Sequence, residues 1–288
     1  MSAEIIAQAV LSGLLLGAVY ALIAAGLTLI FGLMEIVNFA HGEFLMLAMF
    51  GAFWLSTLYA VDPLFSMPLI ALLLFALGVA VYYGMIRRVL RGPPLAQIFA
   101  TFGLAVLLRG LAQFLWTPDF RLVQAPLSAG RLNVFGMFLG IPQIVASAGA
   151  LLAFAALYLF LNRTETGQAL LATAQDRQAA RVMGIDTDRM FALGWGLGAG
   201  CVGVAGALLA NFYYVFPDVG AVFALLAYVT VALGGFGSVG GALVAGVLVG
   251  VVEHLAGLLI SSSLKYAVVF ALYLAVVLIR PRGLFGKF

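Results

Sequence analysis

Apolar residues run along this chain in long, almost unbroken blocks separated by short polar interruptions. The blocks lie at about 6–31, 36–60, 64–86, 96–116, 141–161, 190–211, 220–235, 241–260 and 265–280. A helix that spans a bilayer needs about 20 mostly apolar residues, and most of these blocks supply them. The seventh and the last are short for a full crossing, which predicts half-helices or tilted pieces. The pattern predicts an all-α polytopic membrane protein with about eight or nine transmembrane segments, some broken or re-entrant.

The polar interruptions set the expected orientation. Basic residues favour the cytoplasmic side. Segments 87–91, 162–189 and 280–288 hold three, four and three Lys/Arg, ten of the fourteen in the chain, counting Lys287 in the tail. All three can be cytoplasmic if two crossings separate 91 from 162 and four separate 189 from 280. Counting back puts the N-terminus outside and the C-terminus in the cytoplasm. The turn near 32–42 then falls inside, yet it carries no basic residue, so a re-entrant or broken helix is the alternative there. The opening Met1-Ser2-Ala3-Glu4 has no basic n-region, and the apolar run after it exceeds a signal-peptide core. A retained first span is expected.

Composition supports the bilayer as solvent. Of 288 residues, 65% are hydrophobic and 9% charged, whereas soluble domains carry about 25% charged residues. The 34 glycines fit close helix approach in a membrane. Pairs spaced for such contacts are Gly13/Gly17, Gly194/Gly198, Gly196/Gly200 and Gly246/Gly250. One cysteine, Cys201, precludes a disulfide within the chain. The small net charge of +3 is no nucleic-acid signal.

Three interruptions carry candidate chemistry. The stretch 162–189 is the most charged. Asp176 stands at an N-cap position and Gly184 at the C′ position of a short helix, preceded by a helical piece at about 167–174. Ala179, Ala180 and Met183 can form a small apolar face, with Arg177 and Arg181 on another. This is either an amphipathic connector at the membrane surface or a helix that inserts into a groove of a cytoplasmic partner. The stretch Glu35 to Glu43 places Asn38, His41 and Glu43 between apolar runs, with Asn38 positioned to cap the following helix. Polar groups at membrane depth are costly and usually face a cavity or each other. The stretch reads either as a polar interfacial turn or as part of a translocation path or gate. It has too few ligands for a metal.

Residues 235–240 match the dinucleotide signature G-x-G-x-x-G, but both flanks are apolar helices and no acid follows at the right distance. Gly235, Gly237 and Ser238 instead mark either a break lining a pathway or a tight turn between spans. Arg109, Gln113, Glu253 and His254 lie inside apolar blocks, where Arg109 and Glu253 could pair. No catalytic constellation, metal set or cofactor motif is evident. Without a G-x-x-x-x-G-K-[ST] loop, any ATP used must be hydrolysed by another chain.

The runs Gly13–Leu22, Gly26–Gly32 and Val37–Glu43, the loop Asp176–Ile185, the break at 234–241 and the ending Ile279–Gly286 together resemble the permeases of branched-chain amino acid ABC transporters. The resemblance covers nearly the whole chain in order. It implies an ABC importer permease bundle over 1–288, in a bacterial inner membrane. It further implies a second related permease subunit, two cytoplasmic ATPase subunits and an extracytoplasmic binding protein. The loop 162–189 would then be the coupling segment, with Asp176, Arg177, Gln178, Ala179, Ala180, Arg181, Gly184 and Ile185 its ATPase-facing set. Gln178 stands where such loops often carry Glu, which leaves any particular ion pair open. Similar permeases serve leucine, isoleucine and valine, and others serve urea, amides and small organic solutes. The competing expectation is a stand-alone ion-coupled carrier using Glu35, Glu43, Glu253 and His254. An intramembrane enzyme would need a nucleophile–base pair or a metal constellation, and neither is in view.

Overall fold

A computed structural model describes residues 3–124, 126–134 and 136–286; Met1, Ser2 and Lys287 of the terminal readings lie outside them. Among the described residues twelve α-helices follow one another: α1 (Ala3–Met34), α2 (His41–Tyr59), α3 (Pro63–Val81), α4 (Arg87–Val89), α5 (Pro94–Trp116), α6 (Ile141–Arg163), α7 (Glu165–Gln175), α8 (Arg177–Val182), α9 (Thr187–Leu209), α10 (Val219–Gly234), α11 (Val239–Leu259) and α12 (Lys265–Ile279). A π-helical turn, Tyr82–Ile86, joins α3 to α4. Seven of the described helices are long and apolar enough to cross a membrane, and α10 and α12 are shorter apolar pieces. These nine elements coincide with the nine apolar blocks.

Prolines open α3 and α5, where the missing N–H costs no helical bond. One departure from an all-α chain is a small hairpin between α5 and α6. Strand β1 (Arg131–Val134) pairs antiparallel with β2 (Met137–Gly140), Arg131 opposite Gly140. Ahead of it, Arg121 bridges to Val215.

Helix α1 forms the centre of the bundle, buried against α11, α9, α6 and α10. Its contact with α11 is backbone on backbone. A Cβ on Gly13 would meet Gly250, one on Gly17 would meet Gly246 and Val247, and one on Gly246 would strike Ala21. Gly194 and Gly198 turn toward Leu33, Ile30 and Gly26 of α1, while Gly196 turns toward Phe75 and Val79 of α3. Small residues thus let helices close to distances that lipid-like side chains would forbid.

The second apolar block starts later than its sequence suggests. Helix α1 stops at Met34, Glu35 takes φ 54°, and the chain to Ala40 is extended or turned. His41 then bonds the carbonyl of Ile23. Ile23 is eleven residues before the end of α1, or roughly 16 Å at 1.5 Å per residue. Segment 35–40 therefore doubles back along α1, and α2 begins inside the bundle. Within 35–40, Glu35 and Phe39 are exposed, and Ile36, Asn38 and Ala40 are buried.

Candidate coupling segment and buried polar junction

The charged stretch folds as two capped helices. Thr164 caps α7, its hydroxyl accepting from the Gly167 N–H at 3.0 Å. Asp176 caps α8, accepting from the N–H groups of Gln178 and Ala179 at 2.8 and 2.9 Å. Gly184 takes φ 84°, and the Ile185 N–H reaches back to the Ala180 carbonyl, closing the helix end.

The apolar face differs from its expectation. Ala180 is buried against the bundle. Val182 and Met183 are 88% and 80% exposed, the most protruding apolar side chains of the segment. A helix of six residues is too short for periodicity alone to fix its buried face. The two arginines turn toward the protein. The Arg177 guanidinium lies 4.8 Å over the Phe191 ring, and Arg181 Nε donates to the Thr187 hydroxyl at 2.9 Å. Gln178 and Ala179 are exposed, Ile185 half-buried.

The second candidate lies where α2 and α10 begin. Gly42 and Gly220 meet so closely that a Cβ on either would overlap the other's carbonyl oxygen. Around this contact Asn38, His41 and Glu43 are fully buried. Asn38 does not cap α2. Its Oδ1 accepts from the Ala40 N–H at 3.1 Å, and Ala40 is the N-cap residue without a side-chain bond. Tyr228 donates to the Asn38 carbonyl at 2.5 Å, and Thr101 to that of Val37 at 3.0 Å. These bonds from α10 and α5 satisfy the unwound backbone, as membrane depth demands. Glu43 pairs with Arg109, and Arg109 Nε also lies 3.7 Å from Asp218. Both acids sit in or beside the first turn of a helix, where the positive end of the dipole favours them. Among the described residues, Asn38 Nδ2, His41 Nδ1 and Glu43 Oε2 have no protein partner.

Arg109 therefore pairs with Glu43 and Asp218, not with Glu253. Glu253 binds Lys265 at 2.6 Å and the Tyr20 hydroxyl at 2.7 Å. Nothing in the sequence singles out Asp218, Tyr228 or Thr101, because their partners lie far away along the chain.

Gly235, Gly237 and Ser238 form a tight turn between α10 and α11, the second of the two readings. Gly235 and Gly237 have φ 95° and 79°, and the Ser238 hydroxyl accepts from the Gly241 N–H. The C-terminal residues clasp this turn: the Leu284 and Phe285 N–H groups donate to the carbonyls of Leu233 and Gly234. The turn lies fifteen residues along α10 from Gly220, or roughly 22 Å, so the two candidate path groups are separate. The four groups of an ion-coupled carrier do not gather either. Glu35 is exposed, Glu43 and Glu253 belong to different pairs, and His254 bonds its own helix at Gly250.

Residues 9–277 match the family model described as the branched-chain amino acid transport system permease component. The permease protein BraD of a Pseudomonas aeruginosa high-affinity branched-chain amino acid transport system is 32% identical, over 97% of this chain and 95% of its own. LivH of Escherichia coli K12, of the same description, is also 32% identical over the same shares. A probable LivH permease of Methanocaldococcus jannaschii is 28% identical over 92% of this chain and 88% of its own. No solved structure matches. A match over nearly the full length, on a bundle of membrane-spanning helices, places one conclusion beyond the fold: the chain belongs to the branched-chain amino acid transport permease family.

Proposed function

We propose that this chain is one permease subunit of an ATP-driven ABC importer for branched-chain amino acids or related small solutes. The relatives' described role and the chain's lack of a phosphate-binding loop support that reading. Residues 1–288 act as one transmembrane domain, with 162–189 as its cytoplasmic coupling loop, the N-terminus outside and the C-terminus inside. A second related permease subunit, two ATPase subunits and an extracytoplasmic binding protein complete the machine in the inner membrane.

The observation that carries the reading is the capped α7–α8 pair, which holds Val182 and Met183 out in solvent beside an apolar bundle. Large exposed apolar groups outside the lipid-facing helices mark a surface that another protein covers. ATP-driven closure of the partners would push on this tip. Asp176, Gln178, Ala179, Ala180, Gly184 and Ile185 hold its shape, and Arg177 and Arg181 fix it to α9. The push reaches the point where α2 and α10 start inside the bundle. There Asn38, His41 and Glu43 would line or gate the path, while Gly235, Gly237 and Ser238 close the turn between α10 and α11. Discontinuous helices that meet at depth are a common place for transport sites.

The test is uptake and substrate-stimulated ATPase activity of the assembled importer. Val182→Asp with Met183→Asp should abolish both while the chain still inserts. Normal uptake from that double variant would remove the docking role.

A further inference from the structure

Beside the coupling segment lies a cleft of about 390 Å³, lined by Arg87, Arg91, Arg177, Arg181, Asp186 and Asp188, among others. Its volume falls within the roughly 300–1,000 Å³ typical of ligand sites. Four arginines from two separate stretches of chain, 87–91 and 177–181, line it. Its two acids are already engaged. Asp188 pairs with Arg87 at 2.6 Å and accepts from the Tyr82 hydroxyl at 2.8 Å. Asp186 pairs with Arg189 at 3.0 Å and caps α9 through the N–H groups of Asp188 and Arg189. Among the described residues, Arg91, Arg177 and Arg181 have no carboxylate partner. Three uncompensated cations therefore face one small cavity, and guanidinium forks match phosphate oxygens well.

The position of the cleft selects the source of the phosphate. It lies where two helices long and apolar enough to cross a membrane end, just after α4 and at the start of α9. Exposed apolar side chains, Leu69, Leu72 and Leu73 of α3 and Tyr83 of the π-helical turn, run toward it. Arg87 connects the two, its guanidinium 5.8 Å over the Tyr83 ring. A free anion would need the cleft alone, whereas a lipid would use both the cleft and these apolar side chains. An acidic protein segment would meet Val182 and Met183 first, on the outward side of α8. We propose that the cleft binds the phosphodiester head of an anionic membrane lipid, with its acyl chains along these side chains. Basic pockets between membrane helices are known to take such heads. Lipid occupancy would brace α8 against α4 and so tie the coupling segment to the bilayer.

The test is native mass spectrometry of the purified permease, with whatever chains co-purify, after exposure to phosphatidylglycerol or to phosphatidylcholine of the same acyl chains. Phosphatidylglycerol should be retained preferentially. Arg91→Gln should lower its retention about fivefold, Arg91→Lys much less, and Arg87→Gln with Arg91→Gln further. The Arg91 side chain makes no hydrogen bond or ion pair among the described residues, so the single variant tests binding even if the double variant misfolds. Equal retention of the two lipids, or retention unchanged by Arg91→Gln, overturns the proposal. So does tight binding of inorganic phosphate in lipid-free micelles that phosphatidylglycerol cannot displace. Disulfide trapping from Arg91→Cys to a co-purifying chain would identify a protein occupant and overturn it too. The readout needs neither uptake nor ATP hydrolysis, so its failure leaves the proposed transport role standing.

Discussion

Two interruptions in the apolar pattern, at 35–40 and at 235–238, look alike in sequence and are built in opposite ways. The first is a return into the bundle, and its unwound backbone is held by Tyr228 and Thr101 from distant helices. The second is a local turn at the bundle's end, closed by glycine conformations, one serine cap and backbone bonds from the C-terminal residues. At the first, polar side chains are buried and charged groups from three elements converge. At the second, Phe236 and Gly237 are exposed. The lesson is that a break in a membrane helix earns functional attention by what reaches into it from elsewhere, not by its glycine content.

Substitutions that treat the two breaks alike should give unlike results. The largest effect is expected at Gly42→Val, because backbone on both sides of the Gly42–Gly220 contact must shift. The cost should reach or exceed the top of the roughly 1–3 kcal/mol of overpacking, read as loss of monodisperse protein and a lower midpoint of thermal unfolding in detergent. Next comes Arg109→Leu, which leaves the Glu43 carboxylate buried with no hydrogen-bond or ion-pair partner among the described residues. Removing one partner of a buried pair costs about 3–5 kcal/mol, but Arg109 is 34% exposed, so about 2 kcal/mol is expected. Adding Glu43→Leu should recover part of it. Strict additivity in that double-mutant cycle would remove the pairing from the account. At the surface turn, Gly237→Ala makes only an ordinary contact with the Gly32 backbone at 3.8 Å, so its cost is the left-handed φ, about 1–2 kcal/mol. Ser238→Ala, which removes the α11 cap, is the smallest, at about 1 kcal/mol or less with uptake unchanged. Transport lost in the Ser238 variant, or kept in the Gly42 one, would invert the contrast.

The spans were legible because apolar length alone identifies them, and the caps at Asp176 and Gly184 because capping is set by neighbours in sequence. What could not be read was pairing over distance. Arg109 and Glu253 are both lone charges in apolar blocks, and nothing local distinguishes Glu43, 66 residues away, as the partner Arg109 takes. The pattern starts α2 too early because residues 36–40 are nearly as apolar as a helix, yet the return along α1 keeps them out of one. Asn38 sits two residues before Ala40, so its side chain closes a local turn and does not cap α2. The hairpin at 131–140 hid within a polar stretch whose strands are only four residues each. In the candidate coupling segment, the pattern groups Ala179, Ala180 and Met183 on one face, yet only Ala180 packs inward, since packing on α9 decides which way so short a helix turns.

The close seam between α1 and α11 has a consequence in time. Tyr20 and its partner Glu253 are 233 residues apart, which at about 5–20 residues per second is roughly 10–50 s of synthesis. Through that interval the first helix waits in the membrane with a bare glycine face and an unmatched tyrosine. Its neighbours must be laid down around a gap that only the eleventh helix fills. Assembly of this bundle is therefore closed from the far end of the message. Whatever shelters α1 until then, lipid or insertion machinery, is as much a part of making the transporter as any residue in its finished core.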